Sequence, residues 1–175
     1  MTQQQANGPS PADAAGAYLQ ELGERLRADG CQVTATTWGD HAVVVGNRGD
    51  RKLRWFGTKT ELFVLAAAVP EVDTVALTEF TAWAMERSKH LRSGLPGARN
   101  AATVLPALIG DTVQPSAAQW AAADARLLGT TLLGRPIAVQ TAPSGRARVT
   151  MYRGGTAWGG LFTRHVLEKA AMYFP

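Results

Sequence analysis

The sequence contains few of the residues on which metal sites and thiol chemistry depend. Its 175 residues include one cysteine, Cys31, and three histidines, His41, His90 and His165, which lie far apart along the chain. Neither Cys-x-x-Cys nor His-x-x-x-His spacing occurs, and no loop is rich in carboxylates. We therefore expect no metal ion and no cofactor. A lone cysteine cannot form an internal disulfide, which favours a reducing compartment.

Sequence patterns for nucleophilic and phosphate chemistry are also lacking. None of the serines lies in a Gly-x-Ser-x-Gly elbow, and Cys31 is interpreted as a small buried hydrophobe. The glycine-rich segment 153–160 precedes the last predicted helix, whose free amides could hold an anion, but it lacks the Gly-Lys-Ser/Thr ending of a P-loop. We expect no enzyme, and an enzyme acting on a small anion at residues 154–160 is the weakest alternative.

Long apolar runs are absent, and the first residues show no targeting signal. No run approaches the roughly 20 apolar residues of a membrane span. Residues 1–8 have neither the basic nor the apolar region of a secretory signal. We expect residues 1–9 to be a disordered tail and residues 10–175 to be a single globular domain. A cytoplasmic protein without a membrane partner is the corresponding expectation.

The most informative stretch that is present lies between residues 31 and 68. Apolar residues alternate there with polar ones, and the alternation is interrupted at Gly39-Asp40, Gly49-Asp50 and Gly57-Thr58. Glycine and aspartate tolerate the positive φ of tight turns, so the pattern predicts three or four consecutive antiparallel strands. One of these strands is expected over Arg51–Phe56.

The remaining elements complete an α+β pattern. A capped amphipathic helix precedes the meander, and a second helix follows it. Thr103–Ile109 is predicted as a strand at an edge or with a bulge, because Pro106 cannot donate a hydrogen bond. A helix over 115–128, a hairpin of 136–141 with 148–153, and a helix over 160–173 follow. The order α-β-β-β-(β)-α-β-α-β-β-α predicts a largely antiparallel sheet flanked by helices.

Positive charge is unevenly distributed. Residues 1–86 carry 7 basic and 11 acidic groups, and residues 87–175 carry 11 basic and 3 acidic groups. The asymmetry favours either an anionic partner or contact between the two halves, within one chain or between copies. The candidate anion- or partner-binding residues are Arg48, Arg51, Arg54, Arg87, Lys89, Arg92, Arg99 and Arg153.

The order of the first elements is similar to that of a nuclease core. That αβββαβ core carries an aspartate and a Glu-x-Lys motif on adjacent strands, where they bind magnesium. Here Lys59-Thr60-Glu61 has the reverse order, and Asp40 and Asp50 are interpreted as turn residues. Active nuclease chemistry is therefore not expected, whereas a degenerate relative that binds nucleic acid stays open.

The whole chain resembles a family of small actinobacterial α+β proteins without assigned activity. The resemblance is carried by Leu53-Arg54-Trp55, Thr103-Val104-Leu105-Pro106 and the closing segment 170–175. It implies a cytoplasmic globular protein. The order of helices around the meander is also similar to the secretion-chaperone-like fold, whose members bind protein segments and often dimerise. We therefore expect a non-catalytic binding or assembly protein that acts through protein–protein contacts as a homo-oligomer; nucleic-acid binding is the alternative.

Overall fold

The computed structural model describes residues 11–51, 59–92, 100–128, 132–142, 144–155 and 160–175. Within them lie four helices: α1 (Pro11–Ala28), α2 (Thr74–Leu91), α3 (Pro115–Ala123) and α4 (Gly160–Tyr173). The strands are β1 (Gln32–Trp38), β2 (His41–Arg51), β3 (Lys59–Ala68), β4 (Glu71–Val72), β5 (Asn100–Gly110), β6 (Thr112–Val113), β7 (Arg126–Leu128), β8 (Leu132–Gly134), β9 (Ile137–Thr141) and β10 (Ala147–Met151). The predicted tail, residues 1–9, lies outside the described residues.

One mixed, mostly antiparallel sheet organises the fold. Its order is β1-β2-β3-β5, and β5 then pairs with both β8 and β9. β7 extends the sheet from β8, and β10 extends it from β9. β3, β8 and β9 run parallel to β5, whereas β1, β2, β7 and β10 have only antiparallel partners in the described sheet. The predicted α+β class is confirmed, including its early meander.

The described part of the meander has three strands. The turn predicted at Gly39-Asp40 joins β1 to β2, and Gly39 has the positive φ of 55° that such a turn favours. The turn predicted at Gly49-Asp50 is wrong, because β2 continues through it and pairs with β3 as far as Arg51. Local composition mimics a turn, but Asp50 stays in the strand, where its carboxylate accepts hydrogen bonds from Arg48 and lies 3.0 Å from Nε2 of His165. Residues 52–56 of the further predicted strand lie outside the described residues.

The strand around Pro106 occupies the centre of the sheet, so the predicted edge position is wrong. β5 is paired with β3 along its length, and its other side pairs first with β8 and then with β9. Pro106 lies between these two stretches, opposite the interruption at Arg135-Pro136. A missing amide hydrogen is tolerated there because the neighbouring strand is itself broken.

The later elements agree with the sequence patterns in part. The hairpin of β9 with β10 and the last helix lie where they were predicted. The helix predicted over 115–128 ends at Ala123, because the chain turns at Asp124 into β7. The short strands β4, β6, β7 and β8 had no prediction, since two or three residues are too few to show periodicity.

Two apolar layers hold the helices against the two faces of the sheet. One layer packs α2 and α3 against alternate residues of β2, β3 and β5, and includes Phe63 and Phe80. The other packs α1 and α4 on the opposite face, and includes Leu22, Leu26 and Tyr173. Gly46 permits this second contact, because a Cβ there would lie 2.8 Å from a methyl carbon of Leu26.

Candidate interaction surface

The basic candidates do not form a single free cationic surface among the described residues. Arg48 is largely buried and forms ion pairs with Asp29 and Asp50. Lys89 is exposed and pairs with Glu86 at 3.1 Å, whereas Arg92 lies 3.9 Å from buried Glu61. Two further candidates, Arg87 and Arg153, are exposed. The side chain of Arg51 and the whole of Arg54 and Arg99 lie outside the described residues.

A charged network joins the end of α1, β2 and α4. Asp29 accepts hydrogen bonds from Lys169 at 2.7 Å, from the hydroxyl of Tyr173 at 2.5 Å, and from Arg48. Arg48 also donates to both carboxylate oxygens of Asp50, at 2.9 and 2.7 Å. Nε2 of His165 lies 3.0 Å from Oδ2 of the same carboxylate. The network therefore fastens the last helix to the first half of the chain.

The pKa shifts of the side chains in this network indicate a structural role. Burial alone would raise the pKa of Asp29, but hydrogen bonds from Lys169, Tyr173 and Arg48 outweigh it and hold the pKa below its ordinary value. The pKa of Asp50 is likewise lowered: burial opposes the shift, and Arg48 and His165 outweigh burial. Burial raises the pKa values of Cys31 and Tyr173, so neither side chain is activated as a nucleophile.

The nuclease-like carboxylates are separated by the sheet. Asp50 is directly opposite Thr60, and Glu61 is opposite Gly49. Opposed residues share a face and successive residues alternate, so Asp50 and Glu61 lie on opposite faces of the sheet. They cannot chelate one ion in this arrangement. Within the described ranges, no three His, Cys, Asp or Glu side chains come together as a metal site.

The described start of the glycine-rich segment is tied to a buried arginine. Arg135 is fully buried and donates to the carbonyl oxygens of Tyr152 and Gly154, each at 3.0 Å. Burial lowers the pKa of Arg135. Because these carbonyl oxygens bind the two terminal nitrogens of the guanidinium, the described geometry gives Arg135 a bracing role beside the start of α4. Residues 156–159 lie outside the described residues.

Three shallow clefts are present on the described surface. One of about 300 Å³ lies between α3 and the β9–β10 hairpin, and one of about 280 Å³ lies beside the Asp50–His165 pair. A third, of about 250 Å³, lies between α2 and Trp120 and is mostly apolar, with Arg126 over the indole ring.

Among the described strands, β1 presents an outer edge that has no strand partner. Within the described chain β1 pairs with β2 alone, in an unbroken register from Gln32↔Asn47 to Trp38↔His41. The strand carries no charged residue, no proline and no bulge. The side chains of Thr34, Ala35 and Thr37 are exposed. Natural sheets usually protect such an edge with charge, proline or a bulge, so this one is open to pairing.

The residues that present the open hydrogen-bonding groups follow from the hairpin. The two-residue turn makes Trp38 and His41 a hydrogen-bonded pair, and alternate residues of β1 repeat this geometry. Thr34 and Thr36 therefore direct their backbone groups towards β2. The backbone N–H and C=O groups of Val33, Ala35 and Thr37 point outward.

The opposite border of the sheet consists of shorter strands and presents fewer unpaired backbone groups. It is formed by β7, three residues long, and β10, five residues long, which pair with different strands. β10 carries the exposed cation Arg148 near its centre. Short, charged edges are poor templates for another strand, so β1 is the border that favours added pairing.

Comparison of the sequence with protein-family models gives no match, and comparison with curated proteins gives no significant match. The resemblances to the actinobacterial family and to the secretion-chaperone-like fold therefore stay predictions. Among the described helices, none combines the length and apolarity that a membrane crossing requires.

The sequence interpretation did not single out the open edge as a functional feature. It located β1 and placed it beside the next strand of the meander, but whether a further strand lies on the other side of β1 follows only from the complete strand order. One local signal was available, because the strand over 32–38 contains no charge or proline. The network around Asp29 had no comparable signal, since its members lie up to 144 positions apart.

Proposed function

We propose that this chain is a non-catalytic assembly protein of the cytoplasm that acts through protein–protein contacts and self-associates. The observation that carries the proposal is the open edge of β1. A strand added there gains backbone hydrogen bonds at Val33, Ala35 and Thr37 without disturbing the β1–β2 pairing. The lowered pKa values of Asp29 and Asp50 favour a structural role for the charged network that contains them.

The first prediction tests this edge with Ala35→Pro. Proline removes an outward N–H from an exposed position and leaves the bonds to β2 intact, so the fold should be retained. Light scattering should give a mass above 18.6 kDa for the wild type and close to 18.6 kDa for the variant. Circular dichroism should give the same helix and strand content for both.

Two controls make the result specific to the edge. Ala35→Ser keeps the amide and should retain the wild-type mass. Thr36→Pro removes an amide that is directed towards β2, so it should lower stability as well as change assembly. A monomeric wild type whose mass is unaffected by Ala35→Pro would contradict the proposal.

A further inference from the structure

We infer that the strand added to β1 is β1 of a second copy, paired antiparallel about a two-fold axis that passes through Ala35. This inference rests on the proposed function, since it names the occupant of the same edge. It goes further because the register follows from which residues direct their backbone outward. The resulting dimer has one sheet that continues across both copies.

The hydrogen-bond pattern selects the register. With the axis at Ala35, this residue pairs with its own copy, and Val33 pairs with Thr37 in both directions. All three residues direct N–H and C=O outward, so each of the three pairs exchanges two hydrogen bonds. If the axis is moved along the strand, at least one of the residues Val33, Ala35 and Thr37 lies opposite a residue outside β1. Otherwise it lies opposite a residue whose backbone groups point away from it.

The side chains are compatible with this self-pairing. Thr34 meets Thr36 on the face towards α2, and threonine pairs are favourable across antiparallel strands. Val33 meets Thr37 on the face towards α1. Because the strand is uncharged, two copies bring no like charges together along it. Strand alternation is preserved, so each face of one sheet continues into the same face of the other.

The helices leave room for a second copy. α1 contacts β1, β2, β3, β5 and β9, so it crosses the sheet instead of running along its border. α2 has its main sheet contacts with β5 and β8, away from β1. The exposure of Thr34, Ala35 and Thr37 shows that, within the described residues, both faces beside the outer border are accessible.

Disulfide trapping in the purified full-length chain tests the register. In a Cys31→Ser background, Ala35→Cys places two cysteines opposite each other on the axis, within the 4.4–6.8 Å Cα separation of a disulfide. Thr37→Cys is the matched control, because it is exposed on the same face but lies far from its own copy. We expect at least about ten-fold more disulfide dimer for Ala35→Cys than for Thr37→Cys under mild oxidation.

A mixed experiment confirms the direction of pairing. Val33→Cys and Thr37→Cys, combined in equal amounts, should cross-link to each other in preference to themselves. Trapping of Thr37→Cys with itself, or equal trapping of all variants, would overturn the register. If Ala35→Pro abolishes assembly while these cross-links fail, the edge is used by another strand and only the inference is lost. If Ala35→Pro changes nothing in a monomeric wild type, the proposed function is lost as well.

Discussion

At the scale of single residues, the charged network around Asp29 shows how a polar cluster can stabilise the fold. Asp29 follows the C-terminal end of α1, where the helix dipole disfavours an anion. Three donors from β2 and α4 compensate for this position. The lowered pKa of Asp29 means that the folded state stabilises the ionised carboxylate. Its contribution to stability is present above the unfolded pKa and is lost as the pH falls through the folded value.

A second prediction follows from the direction of this pKa shift. Asp29→Asn should lower the free energy of unfolding at pH 7 by about 1–3 kcal/mol, because the buried donors lose a charged acceptor. The difference from the wild type should shrink as the pH falls from the ordinary aspartate pKa of 3.8 towards the lower pKa of the folded state, because the unfolded carboxylate is protonated first and the wild type loses this stabilisation. Urea unfolding between pH 3 and pH 7 measures this.

Asp124→Asn provides the control for that series. Asp124 is exposed and accepts a hydrogen bond from the adjacent Ala125 backbone amide. The same change of carboxylate to amide should therefore cost much less at pH 7. A pH-independent gap between Asp29→Asn and the wild type would show that the charge of Asp29 does not stabilise the fold.

At the scale of elements, the sequence predicts those whose signals are local. The cap of α2 is an example: the sequence offers Asp73 or Thr74 as the N-cap, and the side chain of Asp73 accepts from the Ala76 amide at 2.7 Å. Pro106 and Asp50 show the limit. Proline favours an edge and Gly-Asp favours a turn on average. The features that decide otherwise are remote in sequence: the break at Arg135-Pro136 lies opposite Pro106, and His165 lies against Asp50.

The cap gives a prediction at this scale. Asp73→Ala removes the acceptor and should lower the free energy of unfolding by about 1 kcal/mol, whereas Asp73→Asn keeps an acceptor and should cost a few tenths. Denaturant midpoints at constant m-value would measure both. An equal loss in the two variants would mean that the charge of Asp73, and not its capping bond, is what matters.

At the scale of the whole molecule, the charge asymmetry is partly resolved by internal pairing. Lys169, from the basic half, pairs with Asp29 from the acidic half, and Arg92 approaches Glu61 in the same way. Part of the uneven charge distribution along the chain is therefore explained by ion pairs between segments that pack together. The sequence could show the imbalance, but it could not separate contact within the chain from contact with an anionic partner.

The alternative, nucleic-acid binding on a degenerate nuclease-like core, is tested at this same scale. It would require affinity for DNA or RNA that weakens steeply with salt, because phosphate contacts release counterions. We expect no measurable binding of a labelled duplex at about 0.15 M salt, and no loss of residual low-salt binding in Ala35→Pro. Fluorescence anisotropy over a salt series measures both. Tight binding with a steep salt dependence would favour the alternative over the assembly proposal.

The divided border formed by β7 and β10 bears on how far an assembly can grow. A self-complementary edge is consumed when two copies meet, because each β1 then has neighbours on both sides. The far borders are three and five residues long and are attached to different strands, so they present no continuous ladder to a newcomer. Assembly through β1 should therefore stop at the dimer. An uncharged edge strand, which could otherwise lead to fibrils, then joins only two copies.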